Sequence, residues 1–222
     1  MQILFEDNHI IAVNKQAGDL SQGDDTDDET LADEIKDYIK HKYNKPGEVF
    51  LGTVHRLDRP VSGAILYART SKALERLNEM LRKNEIKKTY WAVTKNLPKK
   101  NEDTLIDYLK KFPEKNISKV VSEKTEGAKR AELSYKLIAS QKNFHLLQIN
   151  LKTGRPHQIR VQLSNIGCVI MGDVKYGDKT VLDDQSVLLH AREISFLHPV
   201  RKEMVTIVAP LPDQPIWNLF GH

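Results

Sequence analysis

The sequence predicts an α+β fold with a mixed, mainly antiparallel central sheet flanked by helices. Two observations lead there. Roughly six to eight short apolar or β-branched runs recur along the chain, several paired across short turns. Between them lie about three amphipathic stretches with helix start and stop signals. The 222 residues, 40% hydrophobic and 29% charged, suffice for one well-filled core. No linker forces a boundary, so residues 1–222 read as a single domain.

Taken in order, Ile3-Leu4-Phe5 and Ile10-Ile11-Ala12-Val13 form a hairpin across Asp7-Asn8. Gln16 to Glu29, with Gly18, Gly23 and five aspartates, is loop chemistry. Thr30 caps a helix from Leu31 to Lys42, with Leu31, Ile35, Tyr38 and Ile39 on one face, and Asn44-Lys45-Pro46-Gly47 ends it. Gly52 to Gly63 reads as a structured loop and Ala64 to Ala68 as a buried strand. Ser71 opens a helix to Asn84 through Leu74, Leu77 and Leu81, and Thr89 to Val93 is a strand.

Residues 95–130 are lysine-rich and weakly periodic, with order expected only over Thr104 to Leu109. Leu133 to Ala139 and Phe144 to Leu151 pair across Gln141-Lys142-Asn143. Thr153-Gly154-Arg155-Pro156 turns into a helix that carries Ile159, Val161, Leu163 and Ile166, with Pro156 at its first position and Gly167 at its end. Val187 to Leu189, Glu193 to Phe196 and Met204 to Val208 are further short strands.

Composition narrows the function classes. No apolar run approaches the roughly 18–20 residues of a membrane helix, and the start lacks a signal-peptide pattern, so a cytoplasmic protein without membrane association is expected. The single cysteine, Cys168, cannot form an internal disulfide or a cysteine-based zinc site. Neither G-x-G-x-x-G nor G-x-x-x-x-G-K-[ST] occurs, which argues against a nucleotide cofactor. The formal charge of +4 hides an asymmetry. The first 34 residues hold ten acidic side chains against Lys15 alone, leaving 33 basic and 20 acidic residues in the rest. A basic body suggests a nucleic-acid partner or a solvated lysine-rich surface.

The densest polar cluster is His55-Arg56-Leu57-Asp58-Arg59. A carboxylate between two arginines suits a nucleophile or electrostatic partner better than a proton donor, and the arginines suit phosphates. A surface ion pair anchoring a turn is the plainer alternative. The second cluster is Lys152-Thr153-Gly154-Arg155-Pro156-His157-Gln158-Ile159-Arg160, where Arg155, His157 and Gln158 crowd a helix start that already favours anions. A metal site from His55 and His157 with Asp58 or Asp173, as in a phosphodiesterase using His55, Asp58 and His157, matches no standard ligand spacing, so no metal is expected. Tyr90, after Lys87 and Lys88, is either a core aromatic or a ring for stacking on a nucleobase.

With these segments in view, the chain resembles the RluA-type pseudouridine synthases, which modify large-subunit ribosomal RNA and transfer RNA. His55 to Gly63 matches the family's HRLDxxTSG loop, and Leu151 to Arg160 matches L-x-T-G-R-T-H-Q-I-R. Weaker supports are Val13-Asn14-Lys15 with Gly18, Lys88-Thr89-Tyr90, Gly172-Asp173 with Tyr176-Gly177, and Leu189-His190-Ala191 with Phe196 and His198-Pro199. Gln16, Val61, Pro156 and Gln162 depart from the family pattern.

The resemblance implies the pseudouridine synthase catalytic fold without a separate N-terminal RNA-binding domain. It implies isomerisation of specific uridines in structured RNA, with base flipping and no cofactor. Asp58 would be the nucleophile, Arg160 its partner, and Tyr90 the ring against the uracil. His55, Arg56, Arg59, Arg155, His157, Gln158, Lys87 and Lys88 would bind RNA, and Leu57 and Ile159 would wall the base pocket. Lys99, Lys100, Lys110 and Lys111 would extend a backbone track, and Asp24 to Glu29 would lie away from RNA or gate it. The expected state is a monomer. A non-catalytic RNA-binding or ribosome-assembly factor on the same fold is the rival reading.

Overall fold

A computed structural model describes residues 1–21, 23 and 29–221. Apart from Glu29, the acidic segment expected to avoid or gate RNA lies outside the described residues. In chain order the elements begin with β1 (Gln2–Glu6), β2 (Ile10–Lys15), α1 (Leu31–Lys42), β3 (Gly52–Thr53), β4 (Ser62–Ala68) and α2 (Ser71–Arg82). There follow β5 (Lys87–Thr94), β6 (Glu102–Phe112), β7 (Ile117–Val121), β8 (Lys129–Gln141) and β9 (Phe144–Leu151). The last are α3 (Gln158–Asn165), β10 (Leu189–Leu197) and β11 (Met204–Val208). The predicted α+β class with mainly antiparallel pairing holds. The described strands number eleven, more than expected.

The chain divides into two compact units. The first comprises Met1–Ile86 and Ala191–Pro210. Here β1 pairs β2, β2 pairs β4, and the short β3 pairs β4, all antiparallel. The strand β10 pairs β11 from Glu193 to Leu197. Every residue of β2 and β4 is buried, which explains their nearly continuous apolar runs. Ile10, Ala12, Leu66, Leu77, Phe196 and Ile207 form the core beneath them. Thr30 caps α1 as expected, its hydroxyl accepting from the Asp33 amide at 3.2 Å. The cap of α2 is Thr70, whose hydroxyl accepts from the Ala73 amide.

Gly63 shows why this unit needs glycine at the start of β4. Its φ is +117°, and a Cβ there would lie 2.5 Å from the Ala191 nitrogen and closer still to its carbonyl oxygen. Backbone cannot yield as a flexible side chain can. Gly63→Ala is expected to destabilise the protein by about 3 kcal/mol, combining strain at positive φ with overpacking. Thermal unfolding should record a midpoint drop of roughly 10 °C.

The second unit comprises Lys87–His190 and Leu211–His222. Its strand order is β5-β9-β8-β6-β7, each pairing antiparallel. The expected pair of strands around Gln141-Lys142-Asn143 is present as β8 and β9. In the lysine-rich stretch only partial order was expected, yet β6 and β7 form a long hairpin. Of β6 only Leu105 and Leu109 are buried, so its apolar signal is sparse, and charged side chains of both signs (Glu102, Asp103, Asp107, Lys110 and Lys111) occupy much of the remainder.

The third helix begins later than predicted. His157 is its N-cap, with φ +54° and ψ +22°, and Gln158 is its first residue. Pro156 therefore precedes the cap rather than opening the helix. Its carbonyl instead accepts the Ser118 hydroxyl at 2.7 Å. At the other end, Gly167 adopts φ +80° just past the helix, as its sequence position suggested.

Candidate functional site

In the first unit, the loop carrying His55, Arg56, Leu57, Asp58 and Arg59 runs between β3 and β4, and its main chain is held from several sides. The Ser21 hydroxyl donates to the Leu57 carbonyl at 2.9 Å and accepts from the Leu57 amide at 3.2 Å. The Tyr67 hydroxyl donates to the Ser21 carbonyl at 2.7 Å, and burial pushes that phenol's pKa up. Gly18 and Arg59 exchange bonds: the Gly18 amide donates to the Arg59 carbonyl, and Arg59 Nε to the Gly18 carbonyl. The Val61 amide closes a turn onto the Asp58 carbonyl at 3.0 Å. Gln16 to Ser21, read from sequence as loop chemistry, thus braces the segment bearing Asp58.

Beneath this loop lies Lys15, which composition did not single out. It is fully buried at the end of β2, opposite Gly63 in register. Its Nζ donates to the carbonyls of Gln16, Arg59 and Val61 at 2.9, 3.0 and 2.8 Å. Burial lowers its pKa to about 8, while the Asp19 and Asp58 carboxylates work in the opposite direction. A lysine this buried is uncommon unless paired. The Val13-Asn14-Lys15 motif was the only signal that marked it.

His55 is half-buried, and its Nε2 accepts from the Leu66 amide at 3.2 Å, which ties the loop to β4. Arg56 and Arg59 are exposed, Asp58 is half-buried and Leu57 is buried.

In the second unit, Lys87 is exposed, Lys88 is half-buried with its pKa lowered by burial, and Tyr90 is buried, all three on β5. The Thr153-to-Arg155 turn is organised by Gln158. Its Oε1 accepts from the Thr153 hydroxyl at 2.8 Å and the Arg155 amide at 3.0 Å, and its Nε2 donates to the Glu132 carbonyl at 3.1 Å. Gln158 is buried, so its amide serves the turn from within. Arg155 is half-buried, with Nε donating to the Arg130 carbonyl at 3.0 Å. Ile159 is buried on the first turn of α3.

Arg160 is buried as well, and Asp173 grips it with both oxygens, Nε to Oδ2 and Nη2 to Oδ1 at 2.7 Å each. A two-pronged pair fixes the guanidinium plane. Asp173 entered the sequence reading through the Gly172-Asp173 motif and as an alternative ligand in the discounted metal site. Its pairing with Arg160 had no local signature.

The chain matches the model of the RNA pseudouridylate synthase family over residues 9–165, a stretch that includes Asp58, Tyr90 and Arg160. It is 32% identical over 212 residues to a ribosomal large subunit pseudouridine synthase C of Rickettsia felis, covering 95% of this chain and 67% of that protein. To a tRNA pseudouridine synthase C of Vibrio parahaemolyticus it is 28% identical, covering 96% and 91%. Among solved structures, human RNA pseudouridylate synthase domain containing 4 superposes with a TM-score of 0.80 at 22% identity, over 99% of this chain and 92% of that one, a likeness of fold. Among the described residues no helix is long and apolar enough to cross a membrane. The chain belongs to the RNA pseudouridylate synthase family.

Proposed function

We propose that this enzyme isomerises specific uridines in structured ribosomal or transfer RNA, with Asp58 as its nucleophile. The observation that carries the reading is the loop around Asp58. Lys15, Ser21 and Gly18 all hold it through main-chain atoms, so a carboxylate is presented on a rigid support. The family match extends across that loop.

In this reading Asp58 starts cleavage of the bond between the ribose and N1 of uracil. The freed base turns, carbon five bonds to the ribose, its proton leaves, and N1 gains one. No electrons are exchanged with an outside partner, so no redox cofactor enters. Tyr90 stacks on the uracil and helps remove the carbon-five proton. Arg160 takes the part that the family resemblance gives it, as partner to the nucleophile, and Asp173 fixes its guanidinium. Leu57 and Ile159 keep the detached base in place.

Reaching a stacked base means flipping it out, which costs about a few kcal/mol. Arg56 fills the gap or holds the neighbouring phosphate. Arg59, Arg155, Lys87 and Lys88 hold the RNA backbone, and Lys110 and Lys111 on β6 extend that track. His55 and Gln158 serve by shaping the two loops, given the bonds they make to Leu66 and to the Thr153 turn.

The test is pseudouridine mapping across total RNA from cells with and without the gene. One or more uridines should lose the modification without the gene, and their RNA distinguishes a ribosomal from a transfer RNA target. Identical maps would remove the proposal. Purified protein that binds structured RNA without ever forming pseudouridine would favour an assembly factor.

A further inference from the structure

Within the second unit, the β6–β7 hairpin rests on α3, and one side chain gathers the contacts. Leu109 packs with Val161, and Val120 and Tyr176 close over them. Beside this apolar patch, the buried Ser118 of β7 donates its amide to Tyr176 Oη at 2.8 Å. The same phenol oxygen lies 2.8 Å from Nδ1 of His157, the left-handed cap of α3. Having accepted the Ser118 amide, the phenol directs its own proton at Nδ1 in the tautomer that carries the imidazole hydrogen on Nε2, and accepts from Nδ1 in the other.

The Tyr176 ring does further work. It stands edge-on to His157, with centroids 5.7 Å apart, and the Arg160 guanidinium carbon lies 5.2 Å from its centre. Its main-chain carbonyl accepts the Ser164 hydroxyl from the last turn of α3 at 2.8 Å. Tyr176 ends a 3-10 turn, Val174–Tyr176, that follows Asp173 directly. The two groups that frame Arg160 therefore come from a single short segment. That segment is also tied to the hairpin.

We propose that Tyr176 is a positioning residue that registers the basic hairpin β6–β7 against the start of α3 and so sets the orientation of Arg160. The proposal rests on the reading above, in which Arg160 acts in the reaction and the hairpin lysines meet RNA. Its physical content is that the phenol oxygen is shared. Ser118 and His157 each hold the same atom, so a shift of the hairpin moves the cap of the helix that carries Arg160. The Gln162 side chain adds a second tie, donating to Asp107 Oδ2 of β6 at 2.7 Å.

Tyr176→Phe tests this, because it keeps the ring, its packing and its contact with Arg160 while removing the shared oxygen. Three quantities are measured on RNA carrying the mapped uridine: the dissociation constant, the single-turnover rate at saturating protein, and the thermal midpoint. The rate should fall about tenfold while the dissociation constant changes less than about threefold, with the midpoint within a few degrees of wild type. In a His157→Asn background, where asparagine tolerates the left-handed backbone, the same change should lower the rate by less than about twofold. A Tyr176→Phe rate within twofold of wild type would overturn the proposal. So would a tenfold loss that persists undiminished beside His157→Asn, or one accounted for entirely by weaker binding. Wild-type protein that forms no pseudouridine would defeat the functional reading itself, an outcome visible in the control alone.

Discussion

Asp58→Asn should abolish pseudouridine formation, lowering the rate by at least about a thousandfold, while RNA binding stays within a few fold. An amide has nearly the shape of the carboxylate but is not a nucleophile. The surrounding loop should survive the change, since these supports act on main-chain atoms: Ser21 on Leu57, Gly18 on Arg59, and Lys15 on Arg59 and Val61. Binding and unfolding curves close to wild type would confirm that only chemistry was lost. Pseudouridine in digested RNA, measured by mass spectrometry, is the readout. Full residual activity would remove Asp58 from the mechanism.

Lys15→Met should have the second large effect, on folding and on activity together. Methionine fills similar space but leaves the carbonyls of Gln16, Arg59 and Val61 without the donor they share. Removing the buried charge offsets part of that loss, and a net destabilisation of about 3 kcal/mol is expected in urea unfolding. The pH dependence has a definite sign. With its pKa lowered to about 8 in the fold, Lys15 gives up its proton there before the unfolded chain does. Between about pH 8 and the ordinary lysine range, the unfolded state binds more protons, so this group's contribution to stability rises with pH. Activity should fall over the same interval, as the cation beneath the Asp58 loop is lost. Lys15→Met should lack the rise in stability. A variant that keeps it would show that another group titrates.

Much of this architecture was legible in local sequence, and the exceptions share a physical cause. Thr30 announced α1 because a cap is satisfied within three residues, and the buried strand β4 announced itself through an uninterrupted apolar run. The β6–β7 hairpin was obscured because few of its side chains face the core and many of its outer positions carry charged or polar groups of mixed sign. The left-handed cap at His157 left no trace, since histidine, unlike glycine, does not advertise positive φ. At the candidate site, Asp58 and Arg160 stood out as charged residues in dense motifs. Lys15 did not, because a lysine at a strand end ordinarily reaches water, and its burial depends on carbonyls up to 46 residues away. Asp173 was equally hidden, being assigned to Arg160 by the turn that follows α3 rather than by any spacing.

The strand β7 closes one end of its sheet, pairing among the described residues with β6 alone. Lys119 lies directly opposite Lys110 there, and both ammonium groups stand over the Phe112 ring at 5.7 and 5.8 Å. An open strand edge invites edge-to-edge pairing with another molecule, and lysines are a common guard against it. Charge at this rim therefore governs colloidal behaviour. Salt high enough to strip RNA from the protein also weakens the repulsion that keeps its copies apart.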